Sequence, residues 1–276
     1  MHAPVDLKLR TQTGQRLRVM PADAQVVLRD PDGTVCAYGS EHGDVYCVHF
    51  PGVADFSFRP GRNEVIARTR DSYKLVDDLF RTAVIPLALQ VSGYEVLHAS
   101  AVRTESGVAA FCGLSGAGKS TVAYGLSRRG YPIWADDAVV FSAVDEGATR
   151  CFRIPFAVHL RDASRDYFAA LTPAALAVDD RREISALTAI VVLERVPEAA
   201  ARVERVSIAD AVRALLPHAY RFTLADRDRA RRTVESYLDV AARVPVFHAR
   251  YAPGFVQLPP LLDAIESALT NAPHRV

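Results

Sequence analysis

The sequence has little of the covalent or metal chemistry that holds many small folds together. Its 276 residues include only four cysteines. No two of them form a C-x-x-C pair, so the spacing typical of a zinc ribbon is absent. No secretory signal precedes the first predicted strand, and we therefore expect a reducing, cytoplasmic compartment. The cysteines are Cys36, Cys47, Cys112 and Cys151.

A strong charge of either sign is also missing. The chain has 33 basic and 32 acidic residues, a formal net charge of +1. No global field therefore favours nucleic acid or a membrane surface, and we expect neither as a partner. The longest apolar run, residues 82–91, is too short to cross a bilayer and contains Pro86. We predict that it is a buried helix.

Two patterns divide the chain. Residues 1–70 consist of short β-rich runs broken by Gly, Pro and Asp, which predict a small antiparallel subdomain. From residue 71 strand and helix patterns alternate, which is typical of an α/β domain. A helix capped by Asp71 or Ser72 and kinked at Pro86 comes first. The boundary is expected within residues 70–92.

The rest of the chain predicts a regular series of strands and helices. Gly130 stands where a helix C-terminus favours glycine, and Ser207 where a helix N-cap is expected. The predicted strands are residues 94–102, 108–112, 131–141, 189–194 and 245–251, and the predicted helices are 119–129, one opening at 207, 226–243 and 257–269.

A glycine-rich octet at residues 113–120 fits the phosphate-loop pattern G-x-x-x-x-G-K-[ST] at every fixed position. Glycines let the backbone curl so that N–H groups face phosphate oxygens, and the following helix adds its positive N-terminus. Lys119 is placed to reach the β- and γ-phosphates and Ser120 to bind Mg²⁺. The expected nucleotide-binding residues are Gly113, Leu114, Ser115, Gly116, Ala117, Gly118, Lys119, Ser120 and Thr121.

An acidic pair, Asp136 and Asp137, follows the octet by one helix, one turn and one strand. Ligands in open α/β sheets bind at such strand ends. One carboxylate is suited to Mg²⁺ and the other to accepting a proton from an attacking hydroxyl. Adjacent strand residues face opposite sides, so only one acid faces a triphosphate unless the strand bends. The plainer interpretation is a solvated pair at a strand-to-loop junction.

These residues together resemble a known family. His98 on a strand, the octet, Arg129-Gly130-Tyr131 and Ala135-Asp136-Asp137 are similar to the catalytic domain of HPr serine kinase/phosphorylase (HprK). The similarity is greatest to the short HprK-like kinases found with peptide-modification gene clusters, including lasso-peptide clusters. It is close over about residues 94–140 and loose elsewhere.

The resemblance implies a P-loop kinase domain of the HprK and phosphoenolpyruvate carboxykinase type, with ATP and Mg²⁺ as cofactors. It implies that Asp136 is the base toward a serine hydroxyl, that Asp137 and Ser120 hold the metal, and that His98 tunes Asp136. An oligomer is also implied. Two features depart from the family: Ala99 follows His98 where the bacterial enzyme has glycine, and the Glu-x-Arg-Gly signature of the phosphorylase reaction is missing. HPr as substrate and reversal of phosphorylation are therefore not implied.

The leading hypothesis is a kinase acting on a hydroxyl, with a serine of a peptide or protein as the acceptor. Two alternatives stay open: a small-molecule kinase, and a nucleotide-binding regulatory ATPase. The sequence has neither the Asn-Lys-x-Asp signature of GTPases nor the Leu-Ser-Gly-Gly-Gln signature of transporter ATPases. Further candidates are three arginines for phosphate or substrate and one helix-end histidine: Arg161, Arg181, Arg182 and His218.

Overall fold

The computed structural model describes residues 6–13, 21–29, 33–69, 73–145, 148–171, 178, 184–220 and 227–271. The chain forms two compact units. The first comprises Met1–Val96 and Tyr220–Arg231, and the second Leu97–Ala219 and Arg232–Val276. The sequence-based division, with its boundary within residues 70–92, stays a prediction. No helix of the described residues combines the length and the apolarity needed to cross a membrane.

The first unit contains a sheet in the order β1-β6-β5-β4-β3-β2. The prediction of a purely antiparallel sheet is wrong in one place, because β1 pairs with β6 in parallel. Buried residues alternate with partly exposed ones along β5, as expected for a sheet with one covered face. The strands are β1 (Lys8–Thr13), β2 (Gln25–Arg29), β3 (Val35–His42), β4 (Val45–Phe50), β5 (Ala54–Phe58) and β6 (Glu64–Thr69).

Three polar side chains form a hydrogen-bonded row across β3, β4 and β5. Ser40 Oγ lies 2.8 Å from His49 Nε2, and His49 Nδ1 lies 3.1 Å from Asp55 Oδ1. These residue types also make hydrolase triads, but Ser40 and His49 are each only 2% exposed. A substrate cannot reach the hydroxyl. The row therefore satisfies buried polar groups within the sheet.

The helical segment after β6 is interrupted just before Pro86, close to the predicted kink. Helices α1 (Tyr73–Leu79) and α2 (Ile85–Val91) are joined by a π-helical turn over Phe80–Val84. Proline cannot donate to a carbonyl four residues earlier, and its ring crowds that carbonyl, so a wider turn accommodates it. The burial predicted for residues 82–91 is confirmed for most of α2. The predicted caps Asp71 and Ser72 lie outside the described residues.

The second unit is a mixed α/β structure, as predicted. Its strands run in the order β10-β8-β9-β13, continuing through β15 to β14. Strands β9, β13 and β15 are parallel to one another. The first residues of β13 pair with β12, which in turn pairs with β11. After β7 (Glu95–Leu97), the strands are β8 (Ala99–Arg103), β9 (Val108–Cys112), β10 (Ile133–Ala135), β11 (Val139–Asp145), β12 (Ala148–Phe152), β13 (Ile184–Arg195), β14 (Arg202–Arg205) and β15 (Val246–Tyr251).

Helices cover both faces of these parallel strands. Strand β9 shows the result, because all five of its residues are buried. Val108, Ala110 and Cys112 point into one core cluster, and Ala109 and Phe111 into the other. A continuous apolar run is expected for a strand covered on both faces. The helices are α3 (Lys119–Ser127), α4 (Asp162–Ala169), α5 (Ile208–Leu215), α6 (Arg227–Arg243) and α7 (Leu258–Thr270).

Two predicted strands are each broken at a candidate site residue. The strand expected over residues 94–102 is divided into β7 and β8 by a bend at His98. The strand expected over 131–141 is divided into β10 and β11, because Asp137 adopts a positive φ of 65° and the Ala138 amide turns back to Asp136 O at 2.9 Å. A left-handed residue cannot continue an extended strand. Both predictions of unbroken strands are therefore wrong.

The predicted helix ends and caps fit better. Gly130 has a φ of 99° just after α3. The Ser207 hydroxyl accepts a hydrogen bond from the Asp210 amide at 3.2 Å, which confirms the predicted N-cap of α5.

Close packing between α3 and α7 gives a test of this core. A Cβ atom at Gly125 would lie 2.8 Å from Leu262 Cδ1. We predict that Gly125→Val lowers the free energy of unfolding by about 1–3 kcal/mol, because the added methyl groups overpack this contact. Denaturant midpoints measure the effect. Ser267→Val places the same β-branched side chain at an exposed position of α7, away from the contact between Gly125 and Leu262. This variant controls for the effect of valine on helix propensity. Equal destabilisation by both variants would contradict the packing argument.

Candidate functional site

Strand register brings the predicted site residues to one edge of the second unit. Strand β8 is antiparallel to both β9 and β10. Ala99 pairs with Cys112, and Ala101 pairs with Ala135. The octet after Cys112, His98 before Ala99 and the acidic pair after Ala135 therefore all lie at the same edge. This is where α/β sheets place ligands.

The octet forms a tight loop that leads from β9 directly into α3. The Ala117 amide donates to Leu114 O at 2.9 Å. Gly116 and Gly118 have φ values of 82° and 96°, which side-chain-bearing residues rarely adopt. A Cβ on Gly118 would also lie 3.0 Å from the Tyr251 hydroxyl, which donates to Ala117 O. The loop therefore requires glycine for both conformation and space.

Lys119 opens α3 and is 8% exposed. Its Nζ donates to Gly113 O at 3.1 Å, so the side chain turns back over the loop. Burial lowers the pKa of Lys119, and the nearby Asp137 and Asp136 carboxylates oppose that shift. The first amides of α3 have no acceptor within the helix. A cation and free amides are thus concentrated beside the loop, an arrangement suited to an anion.

Asp136 is 4% exposed and accepts three hydrogen bonds. Its Oδ1 accepts from Ser100 Oγ at 2.6 Å and from Ser120 Oγ at 2.9 Å. Its Oδ2 accepts from the His159 amide at 2.9 Å. Burial and the neighbouring Asp137 raise the pKa of Asp136, while the three donors lower it. The octet hydroxyl is therefore bonded directly to a buried acid.

Asp137 points differently because of its left-handed backbone. Its side chain is 34% exposed, and its Oδ2 lies 3.6 Å from His159 Nδ1. The bend in the chain means that both acids of the pair take part in one site, which an unbroken strand would prevent. The carboxylates of Asp136 and Asp137 and the imidazole of His159 each offer one atom within 4.8 Å of the others. These residues fit a divalent cation, since carboxylates and imidazole are common ligands.

His98 is held as a neutral ring. Its Nδ1 lies 2.9 Å from Asp137 O and, facing a carbonyl, donates. Burial and the Lys119 charge lower the pKa of His98 to about 4. His218 is also shifted: burial, Lys119 and His98 lower its pKa to about 4. The His218 carbonyl accepts a hydrogen bond from the His98 amide at 2.7 Å.

Among the arginine candidates, Arg161 lies at the octet. Its Nη2 donates to Ser115 Oγ at 3.0 Å, and its Nη1 would meet a Cβ on Gly116 at 3.4 Å. Arg181 and Arg182 lie outside the described residues.

Sequence reasoning missed several neighbours of the predicted residues. Ser100, His159 and Tyr251 make the contacts given above, and Thr121 Oγ1 lies 2.9 Å from Ser164 Oγ. Arg195 Nη2 would lie 3.7 Å from a Cβ on Gly118. No motif spacing marks these residues. Only a polar side chain at the carboxyl end of a predicted strand, as at Arg195 and Tyr251, offered a signal.

Comparison with known proteins gives little to place beside this geometry. No family model matches the chain, and no curated protein matches it. Among solved structures, the HPr(Ser) kinase/phosphatase from Coxiella burnetii is similar with a TM-score of 0.34 and 11% sequence identity, over 62% of this chain and 88% of that one. A match of this strength carries no argument about activity.

The buried His98 gives a test of the site's electrostatics. A histidine whose folded pKa lies below its unfolded value stabilises the fold least when the solution is acidic. The pKa of His98 is about 4 in the folded protein and 6.5 in its ordinary, unfolded environment. The free energy of unfolding therefore decreases as pH falls from about 6.5 toward 4. We predict that wild type loses about 2 kcal/mol more than His98→Gln between pH 7 and pH 5.

Denaturant unfolding at the two pH values measures this difference. Gln retains an N–H to donate to Asp137 O but does not titrate. His42→Gln, at an exposed position, serves as the matched control. If His98→Gln and wild type lose equal stability, His98 is not the neutral, buried group described here.

Proposed function

We propose that this protein is an ATP- and divalent-cation-dependent kinase of the P-loop type that transfers the γ-phosphoryl group to a hydroxyl, with a serine of a peptide or protein as the acceptor. The hydrogen bond between Ser120 and Asp136 is the observation that carries the proposal. It joins the hydroxyl of a phosphate-loop pattern to a buried acid, so the loop that would hold the triphosphate lies directly beside the candidate base.

The octet supports the nucleotide-binding part of this proposal. Lys119 is buried against the loop it would use to hold the β- and γ-phosphates. Its ammonium group donates to a carbonyl of the same loop, and an anion would be a stronger acceptor for it than that neutral carbonyl. The α3 N-terminus favours the same charge.

The acidic pair supports the transfer part. Asp136 Oδ1 already accepts from two serine hydroxyls, at 2.6 and 2.9 Å. That is the geometry a base needs toward an acceptor hydroxyl, and a substrate that replaced one of these donors would place its proton on Asp136. The proton leaves the acceptor oxygen as the O–P bond forms and the bond from the γ-phosphorus to the bridging oxygen breaks, which leaves ADP. Asp137, more exposed and next to His159, is assigned to the cation.

The sharpest test separates nucleotide binding from transfer. We predict that Lys119→Ala weakens ATP binding at least about tenfold, because the site loses its buried cation. Asp136→Asn keeps ATP binding within about threefold but abolishes transfer, because the amide cannot accept the proton. Calorimetry measures binding, and mass spectrometry of candidate acceptors after incubation with ATP and Mg²⁺ or Mn²⁺ measures transfer.

Lys74→Ala, at an exposed position of α1, controls for loss of a lysine. Wild-type protein that binds no ATP would refute the nucleotide site. A chain that binds and hydrolyses ATP, yet in which Asp136→Asn leaves its biological output intact, would instead be a nucleotide-dependent switch. Transfer only to small hydroxyl compounds would favour the small-molecule kinase.

Arg161 gives a separate test of phosphoryl-group stabilisation. Its guanidinium already reaches Ser115 of the octet. We predict that Arg161→Ala lowers kcat at least about tenfold with ATP affinity changed less than threefold, because an arginine beside a transferring phosphoryl group acts mainly in the transition state. Arg165→Ala, an exposed position of the following helix, should change neither. Equal losses in kcat and in affinity would place Arg161 in ground-state binding instead.

A further inference from the structure

His159 lies beside the acidic pair although no sequence motif assigns it a role. It belongs to the segment between β12 and α4. Its amide donates to Asp136 Oδ2 at 2.9 Å, while its imidazole Nδ1 lies 3.6 Å from Asp137 Oδ2. The side chain is 60% exposed. The backbone of His159 is therefore fixed on one acid, and its ring faces the other from the solvent side.

These three side chains have the dimensions of one coordination sphere. Their ligand atoms all lie within 4.8 Å of one another. Two ligands each about 2.1 Å from an ion are at most about 4.2 Å apart, so these atoms would reach one ion after shifts of roughly half an ångström or more. A mixed set of this kind is not a plain acidic cluster, because a nitrogen ligand takes part.

The charges favour a cation at the same point. Asp136 is buried next to Asp137, so two carboxylates lie close together where little water can screen them. Lys119 is the nearby cation, but its ammonium group donates to Gly113 O. A divalent ion between the carboxylates would offset their mutual repulsion.

We propose that Asp136, Asp137 and His159 bind a divalent cation, with one Asp136 oxygen toward the ion and the other left to take the acceptor proton. We also propose that His159 makes this site prefer a first-row transition ion, such as Mn²⁺, over Mg²⁺. Imidazole nitrogen is a good ligand for transition ions, whereas Mg²⁺ favours oxygen ligands and retains its water. Three protein ligands leave positions for water or phosphate oxygens. The inference deepens the proposed function, on which it rests for the purpose of the ion, since the same cation would neutralise the triphosphate.

The test uses full-length, metal-free protein without nucleotide. Mn²⁺ is the probe, because its free form is counted by electron paramagnetic resonance, and Mg²⁺ affinity is measured by competition. We expect one site, whose affinity for Mn²⁺ is at least about tenfold higher than its affinity for Mg²⁺. His159→Ala keeps the hydrogen bond from the backbone amide of residue 159 to Asp136. The variant should weaken Mn²⁺ binding at least about tenfold, with Mg²⁺ binding changed less than threefold.

His42→Ala, which removes another exposed histidine, should leave both affinities unchanged. Asp137→Asn should weaken both ions. The inference is overturned if His159→Ala leaves Mn²⁺ affinity within about twofold of wild type, or if it weakens both ions equally. Calorimetry with ATP, on the same samples, keeps the two proposals apart. Mn²⁺ binding without ATP binding would refute the kinase and retain the cation site. ATP binding without Mn²⁺ binding would refute the cation site and retain the kinase.

Discussion

The direction of strand β8 is the constraint on which the site depends. Because β8 runs opposite to both of its neighbours, β9 and β10 end at the same edge. The chain leaves β9 as the octet and leaves β10 as the acidic pair, so two segments separated by a whole helix meet without any long loop. The Ser120–Asp136 hydrogen bond is the visible outcome of that arrangement.

A second constraint is the cost of burying charge. Lys119 and Asp136 are both largely removed from water, and an unpaired ion there would be expensive. The structure compensates Asp136 with two hydroxyls and an amide and Lys119 with a loop carbonyl. His98, whose pKa is lowered by burial and by the lysine charge, stays neutral instead. Each of these charged groups is held by a partner that a charged ligand could replace. Buried groups with shifted pKa values are therefore more typical of functional sites than ordinary surface ion pairs are.

Local patterns predicted much of the fold. The apolar run of β9, the octet before α3, the N-cap at Ser207 and the turn at Gly130 follow from residue preferences that act over a few positions. The parallel β1–β6 pair could not be predicted, because strand pairing depends on contacts far apart in sequence. The breaks at His98 and Asp137 were also missed, since each depends on hydrogen bonds to distant residues rather than on local propensity.

The same distinction applies to the site. The octet and the acidic pair were found because their spacing is short and typical. His159 and Tyr251 were not, because they approach the octet and the acidic pair only through the folded sheet. Arg161 was a candidate among several surface arginines, and its contact with Ser115 separates it from other exposed arginines such as Arg165.

The Tyr251 hydroxyl bond to Ala117 has one more consequence. The two residues lie 134 positions apart, at opposite ends of the second unit's sequence. During synthesis the whole octet emerges long before β15 exists, so the nascent chain has the motif without the contact that supports it. The loop gains its final support only when the last strand joins β13. The anion affinity proposed for the loop would then rise late, and its appearance would report that the sheet is complete.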